Sequence, residues 1–539
     1  MKLTSVAVWL LLAFAVATPV ADAGDVVNIG SRLELLVDDY LVDNLRGAEL
    51  RLHKPTPREV AIVNDSPPEG NQCAYYTVFQ DDDRYRMYYR GSHNDRNPGS
   101  TLPWHSYCLC YAESPDGIHW TRPDLNLVTF QGSKHNNIIF VESQRSHRLD
   151  PTAQAVDGPG MFNFTLFKDL NPNCKPGEKY KALGTGPLHG LYASKSVDGI
   201  HWSSLSDKPV INQGNFDSQN LAFWDSLRQQ YVAFHRDYRC KVCKQTLRRH
   251  VAPSGVVEDV FRCSCREIEL KDLTNDNFWR DIRTKTSKDF LNWSDHGLLK
   301  CPGAPYEHLY TNAIAPYYRA PHIFLGFPMR FLPSRKSKDG LPDGVSDGLF
   351  MTSRDGRIFK RWGEAIIRPG VQKQRWVGRN NMIAWGLLKT KSSIPGTPDE
   401  LSLFSSEGYK RGDSCQLRRY TYRIDGFVSV HAPLSGGELV TRPLLFEGRE
   451  LVINYSTSAA GSLRVEIQDD TGQPIEDYAL ADSTEIYGDE IERVVGWKTG
   501  SDVGKLARQP VRLRFVMKDA DLFSLRFRGK DQSQSTTGR

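Results

Sequence analysis

The chain of 539 residues carries 69 basic and 64 acidic side chains, a formal net charge of +5. No long basic run or aromatic-basic interleaving is present, which argues against nucleic acid as a partner. A chain of this length exceeds one hydrophobic core, so two domains are expected.

Residues 1–23 read as a signal peptide: Met1-Lys2, an apolar run over 6–17, and Ala21-Asp22-Ala23 as a small-x-small cleavage site. The product is therefore expected to be exported to the periplasm, the cell surface or the medium. No later stretch approaches the roughly 18 uninterrupted apolar residues of a membrane span. The segment 32–43, with alternating Leu33, Leu35 and Val37, reads as a strand entering the first domain.

From residue 75 onward strand signals dominate. Residues 75–79 and 85–90 form a hairpin around Asp81-Asp82-Asp83, and 107–112 with the Trp120 strand complete a four-stranded unit. A second unit comprises 163–167, 179–184, 190–194 and the Trp202 strand. A third has 220–225, 230–235, 265–270 and the Trp293 strand, a fourth 310–317, 322–327, 348–353 and 359–362, and a fifth 382–388, 400–405 and 418–424. These units repeat Ser-x-Asp-Gly-x-x-Trp as Ser114, Asp116, Gly117, Trp120 and Ser196, Asp198, Gly199, Trp202, with degenerate copies at Ser287, Asp289, Trp293 and Ser353, Asp355, Gly356, Phe359. The Asp-Gly pair turns the chain and the aromatic packs between units, so these aspartates are turn-formers and not catalysts. The expected fold is all-β, a five-bladed β-propeller over 24–434. A C-terminal β-sandwich is expected over 435–527, where short alternating strands alternate with Gly and Asp turns, and a disordered tail over 528–539.

In a propeller the residues leading into each innermost strand converge on one end of the axis. Those positions hold Glu69-Gly70-Asn71, Asp157 or Asn163, Asp217-Ser218-Gln219-Asn220, Glu307-His308 and Arg379-Asn380-Asn381. Cleaving a glycosidic bond takes a carboxylic acid and a carboxylate across it. Glu307, beside Tyr306, His308 and Tyr310, is expected to be the acid, kept protonated by apolar-aromatic company. Asp217, among hydrogen-bond donors, is expected to be the base or nucleophile, with Glu69 as an orienting carboxylate. Asn71, Gln219, Asn220, His308, Tyr310, Asn312, Arg379 and Asn380 are candidate substrate-binding groups, and Trp104, His105, Trp376 and Trp385 offer flat faces for a sugar ring. Arg330 suits an acidic or sulfated sugar or, equally, a salt bridge between blades. No cofactor is expected.

Cys240-x2-Cys243 and Cys263-x-Cys265 bracket a polar, basic segment and read either as two disulfides stapling a hairpin or as a structural zinc site. The other six cysteines cannot be paired from sequence.

With its Ser-x-Asp-Gly-x-x-Trp strands and C-terminal sandwich, the chain resembles glycoside hydrolase family 32 and its five-bladed relatives such as family 43. The segments Asp38-Asp39-Tyr40-Leu41, Arg84-Tyr85-Arg86-Met87-Tyr88-Tyr89-Arg90-Gly91 and Gly436-Gly437-Glu438-Leu439 to Pro443 are similar to an exported bacterial group related to the family 32 propeller. The W-M-N-D-P-N-G, R-D-P and E-C segments of the fructan-cleaving members are absent, so their catalytic residues have no counterparts to carry over. The resemblance implies glycosidic bond cleavage of an oligo- or polysaccharide; the alternative is a propeller that binds carbohydrate without turnover.

Overall fold

The computed structural model describes residues 26–141, 162–186, 189–251 and 257–529. The signal-peptide segment, Asp157 and residues 530–539 lie outside the described residues. The described residues are all-β, with short 3-10 turns as their only helical elements, and no helix among them is long and apolar enough to cross a membrane.

Five four-stranded antiparallel sheets carry the middle of the chain. The first is built from Ala74–Asp81, Arg84–His93, His105–Ser114 and Ile138–Val141, and the second from Phe162–Lys168, Tyr180–Thr185, Leu191–Ser196 and Trp202–Ser204. The third contains Leu221–Asp225, Gln230–Cys240, Phe278–Ser287 and Ser294–Leu298, the fourth Ala315–Tyr317, Ala320–Gly326, Met351–Ser353 and Lys360–Arg361. The fifth takes Leu388–Thr390, Glu400–Glu407 and Gln416–Arg423 from late in the chain and its outer strand, Thr56–Val63, from near the beginning. The third sheet departs from expectation: Arg266–Glu269 belongs to a separate three-stranded insertion, and Phe278–Ser287 fills the third place.

Consecutive sheets touch through their first strands. The first strand of sheet two lies against those of sheets one and three. Phe223 and Phe324 join sheets three and four at 6.1 Å, Trp385 Nε1 donates to Ile314 O at 3.0 Å, and the Val78 N–H donates to Trp385 O while the Trp385 N–H donates to Tyr76 O, both at 2.8 Å, returning from the fifth sheet to the first. A cavity of about 930 Å³ is lined from all five, by Val78, Phe167, Phe223, Leu325 and Leu388 among others.

All four Ser-x-Asp repeats form the same turn after the third strand of a sheet. In the second copy Asp198 accepts from the backbone N–H groups of Ile200 and His201 at 2.8 Å and from Ser196 Oγ at 3.0 Å. Partial burial opposes the charge, but these donors, His201 first, hold the Asp198 carboxyl down at about 2. The residue after the aspartate has positive φ, +81° at Gly199, and Phe290 takes that place at +69° in the third copy. Phe290 tolerates this because it is fully buried against Phe167, Tyr231 and Trp293. The fifth sheet has no such turn for a topological reason: its third and fourth strands are not consecutive in the chain.

A ten-stranded sheet combines both ends of the described chain: Val27–Gly30, Glu34–Leu35, Val42–Arg46 and Glu49–Leu52 with strands from Val428–Ala432 to Val511–Arg528. The segment 32–43 divides between the two units: its backbone pairs with the ten-stranded sheet, Leu35 with Ser524, and Leu36 and Leu41 share a core with Val430, Phe515 and Leu525, whereas the alternating Leu33, Leu35 and Val37 pack with Phe167, Phe324 and other core residues of the four-stranded sheets. Buried Glu34 ties this sheet to the rest through Arg354 at 2.8 Å and His322 at 3.2 Å. Against the cost of burial, these partners and Arg32 lower its carboxyl to about 2.

The Asp198 turn has a testable pH signature. A carboxyl lowered on folding stabilises the protein fully above its unfolded pKa of about 4, and that contribution is lost as pH falls toward about 2. Asp198→Asn should lower stability by about 1 kcal/mol near neutrality, the usual scale for a side-chain cap and modest because the site is part-exposed. In urea unfolding the variant and parent curves should converge between pH 4 and pH 2; a difference independent of pH would refute the assignment.

Candidate functional site

The leading positions of the sheets do converge, but with a different membership from that expected. Tyr75, Asn163, Ala313 and Asn381 precede or open the first strands of four sheets with φ between +41° and +60°. Such φ is unusual for a residue with a side chain, and for a bulky Tyr75 it is costly, a strain that structures retain where it positions a group. It coincides with a slip in register between Ala74 and Thr77 and between Phe162 and Thr165.

At this end lie four guanidiniums on aromatic faces. Arg90 sits over Tyr75 at 4.8 Å and Tyr107 at 4.5 Å. Three more surround one phenol ring: Arg236 and Arg280 are 5.5 Å, and Arg379 5.6 Å, from the Tyr310 centroid. Arg90 and Arg379 share the Tyr409 hydroxyl at 3.3 and 3.4 Å. Asp217 is the one carboxylate, among the described residues, within 4 Å of any of the four, 3.9 Å from Arg236. The Nε atoms of Arg90 and Arg280 are buried without a hydrogen-bond partner there.

This excess of positive charge shows in the protonation of the group. Desolvation, with Arg236 and Arg379 nearby, lowers the Arg280 guanidinium from its ordinary value. Burial raises the Tyr310 phenol, but Arg379, Arg236 and Arg280 together bring it below its ordinary value. The Asp217 side chain is 58 % exposed. Desolvation raises its carboxyl, and Arg236, Arg379, Arg90 and the Asn163 amide outweigh that and lower it.

Of the expected catalytic residues, only Asp217 is in this cluster, and its neighbours are not the donors expected. Ser218 Oγ bonds Tyr310 O at 2.6 Å, Gln219 bonds Tyr76 O at 3.1 Å, and Asn220 bonds Phe216 O at 2.7 Å. Glu307 is not in apolar-aromatic company: Arg330 at 3.1 Å and Arg361 engage its two oxygens separately. That suits a carboxylate joining strands, with no free oxygen to protonate a leaving group. Buried Glu69 is likewise held by Arg122 at 2.8 Å, Tyr89 and the Ser66 N–H.

The amides are mostly structural. Asn71 uses its oxygen and nitrogen on Asn94, Asn97 and Gly412, Asn312 bonds Phe234 O, and Asn380 bonds Val377 and Tyr409. Gln219, just ahead of the third sheet, reaches the first sheet through Tyr76 O and Thr77 Oγ1. Arg330 makes a bidentate pair with Asp347 at 2.9 and 2.6 Å, the salt-bridge alternative. His308 accepts from Arg280 at 3.2 Å, and burial together with Arg280 and Lys241 lowers its imidazole to about 3, so it is neutral. Trp385 is buried between sheets. Tyr310 and Arg379 are the two candidate binding residues placed in the cluster. Tyr75, Arg90, Arg236, Arg280 and Tyr409 were missed; the signal for two of them is that Arg90 and Arg236 both follow an aromatic pair inside a second strand, in Tyr-Tyr-Arg-Gly and Phe-His-Arg-Asp.

No protein-family model matches the chain, and no curated protein sequence matches it. Solved structures similar to it include a glycoside hydrolase family 43 arabinoxylan arabinofuranohydrolase from Bacillus subtilis, 10 % identical over 88 % of this chain and 99 % of that one, TM-score 0.40. A putative glycosidase from Bacteroides thetaiotaomicron is 11 % identical over 68 % and 96 %, TM-score 0.36. A glycosyl hydrolase from Bacteroides ovatus is 11 % identical over 71 % and 97 %, TM-score 0.35.

The Tyr310 environment can be read directly. In a pH titration of absorbance at the phenolate band, one tyrosine should ionise below the usual value of about 10. Tyr310→Phe should remove that step and Arg379→Ala should move it to higher pH; a Tyr310→Phe titration identical to the parent's would refute the placement.

Proposed function

We propose that the protein is an exported glycoside hydrolase acting on an anionic carbohydrate, a uronate-bearing or sulfated glycan, bound by Arg90, Arg236, Arg280 and Arg379. The observation that carries this reading is a group of four guanidiniums with one carboxylate, Asp217 beside Arg236, within 4 Å of any of them among the described residues. Like charges gathered in a partly desolvated group repel one another, and an anion with several oxygens offsets that repulsion through charge-assisted hydrogen bonds. The five four-stranded sheets are read as propeller blades, with the arginine cluster at one end of the axis, and the ten-stranded sheet as a β-sandwich.

The same charges shape the chemistry. A sugar held by its anionic group repels a carboxylate nucleophile, whereas a phenol carries no such penalty until it reacts. Tyr310, its ionisation favoured by three guanidiniums, is assigned as nucleophile toward the anomeric carbon, a role tyrosine takes in sialidases. Asp217, held ionised, accepts the phenol proton as the bond from Tyr310 to the anomeric carbon forms and the glycosidic bond breaks, and it passes that proton to the leaving oxygen. Water then adds to the anomeric carbon as the bond to Tyr310 breaks, and its proton returns to the Tyr310 oxygen through Asp217. The paired-carboxylate arrangement with Glu307 gives way to this one because Glu307 is occupied by Arg330 and Arg361.

Binding without turnover remains a second reading, favoured by one observation: no second carboxylate lies beside the four arginines among the described residues. A panel of uronate-containing, sulfated and neutral oligosaccharides separates the two. Anionic ligands should bind and be cleaved, and binding should weaken with salt. Arg379→Ala should weaken binding at least about tenfold, the scale of one lost charged hydrogen bond. Asp217→Asn and Tyr310→Phe should each abolish cleavage while binding persists. Binding with no product from the parent supports the second reading; preference for neutral glycans overturns the assignment of the arginines.

A further inference from the structure

Cys240 ends one strand of the third sheet and faces Phe278 on the next. Between them the chain leaves the sheet and builds the three-stranded insertion of Arg248–Val251, Val257–Cys263 and Arg266–Glu269. Its apolar core is small, centred on Leu247, Phe261, Ile268 and Phe278 with Cys240, less than such a unit needs to hold itself together.

At its base four sulfurs meet. The Sγ atoms of Cys240, Cys243, Cys263 and Cys265 all lie within 4.8 Å of one another, with Cys240 to Cys265 at 3.7 Å and Cys263 to Cys265 at 3.5 Å. None forms a disulfide, whose bond is about 2.05 Å. Four sulfurs about 2.3 Å from a shared centre would stand about 3.8 Å apart at the corners of a tetrahedron. Two tight turns present them. Cys240 N bonds Gln245 O at 2.8 Å and Lys244 N bonds Cys240 O at 3.1 Å, which brings Cys243 back beside Cys240; the Cys263–Arg266 pairing closes the opposite turn. Arg266 donates to Cys240 Sγ at 3.5 Å. Arg239, Lys241, Lys244 and Arg262 flank the sulfurs in sequence.

We propose that these four cysteines bind one Zn²⁺ in a closed, structural site. On binding, four thiols release four protons, and the resulting centre carries a net charge of −2, which the basic flanks and the Arg266 hydrogen bond offset. No position is left for a substrate, so the metal has no part in bond cleavage. Its effect reaches the arginine cluster mechanically. Arg236 lies four residues before Cys240 on one strand, and Arg280 two residues after Phe278 on the other. Tyr238 and Phe278 stack at 3.9 Å between them. Fixing the Cys240 end fixes the reach of both guanidiniums. This proposal stands on the sulfurs alone and does not rest on the hydrolase reading.

The test uses the full chain purified without reductant or chelator. Elemental analysis should give about one zinc per chain, and unfolding in a metallochromic dye should release it with all four thiols free to alkylation. Cys243→Ser and Cys265→Ser should each lose the metal, lower the melting temperature and expose residues 241–277 to protease. Replacement of zinc by Co²⁺ in the parent should give a tetrahedral thiolate spectrum, a readout that does not depend on the variants folding. Peptide mapping that finds these cysteines in two disulfides with no zinc, or a metal-free parent that melts and resists protease as the loaded one does, would overturn it.

Discussion

The structure depends on one pairing made between chain ends. Thr56–Val63 completes a sheet whose other strands lie more than three hundred residues later, and Arg58, Glu59, Glu400 and Arg419 reinforce it. Arg419 donates to Glu400 at 2.9 Å and pairs with Glu59 at 2.5 Å, and Arg58 reaches Glu400 at 3.3 Å. Without this strand the fifth sheet would expose an unpaired edge, and the return contact between Trp385 and the first sheet would lose its support. The ten-stranded sheet repeats the device, joining Val27–Leu52 to the C-terminal strands.

That closure places residues distant in sequence at one end of the five first strands, and charge decides what they do there. Acids at the leading positions sort into two kinds. Glu69 and Glu307 are consumed by arginines that join strands, while Asp217 faces arginines that outnumber it. A carboxylate saturated by guanidinium hydrogen bonds is a structural element; a carboxylate shared among several is available to a ligand and to a proton. Tyr310, at the centre of three guanidiniums, owes the lowering of its phenol pKa to neighbours from three separate segments.

The all-β class, the repeat turns and most strand positions were legible in the sequence, since Asp-Gly followed by an aromatic has a local cause that no tertiary context overrides. The convergence on Asp217, Tyr310 and Arg379 followed from the repeat as well. The chemistry of Glu307 was not legible, because Arg330 and Arg361 reach it across strands and the flanking aromatics gave the wrong neighbourhood. The place of residues 32–43 was hidden for a related reason: alternation shows which side chains share an apolar face, here packed on the four-stranded sheets, but does not say which sheet the backbone joins. The third strand of sheet three was masked by the insertion, whose own strand at 266–269 carries the same alternation.

The pairing of Thr56–Val63 with Gln416–Arg423 also sets an order of events. A ribosome delivers the first of these strands long before the second, so the early sheets form while their neighbour is still missing, and this loop closes late, ahead only of the still longer one between Leu35 and Ser524. Completion of the arginine cluster is thereby reserved for a nearly finished polypeptide: a truncated product would present arginines with nothing to hold them in register.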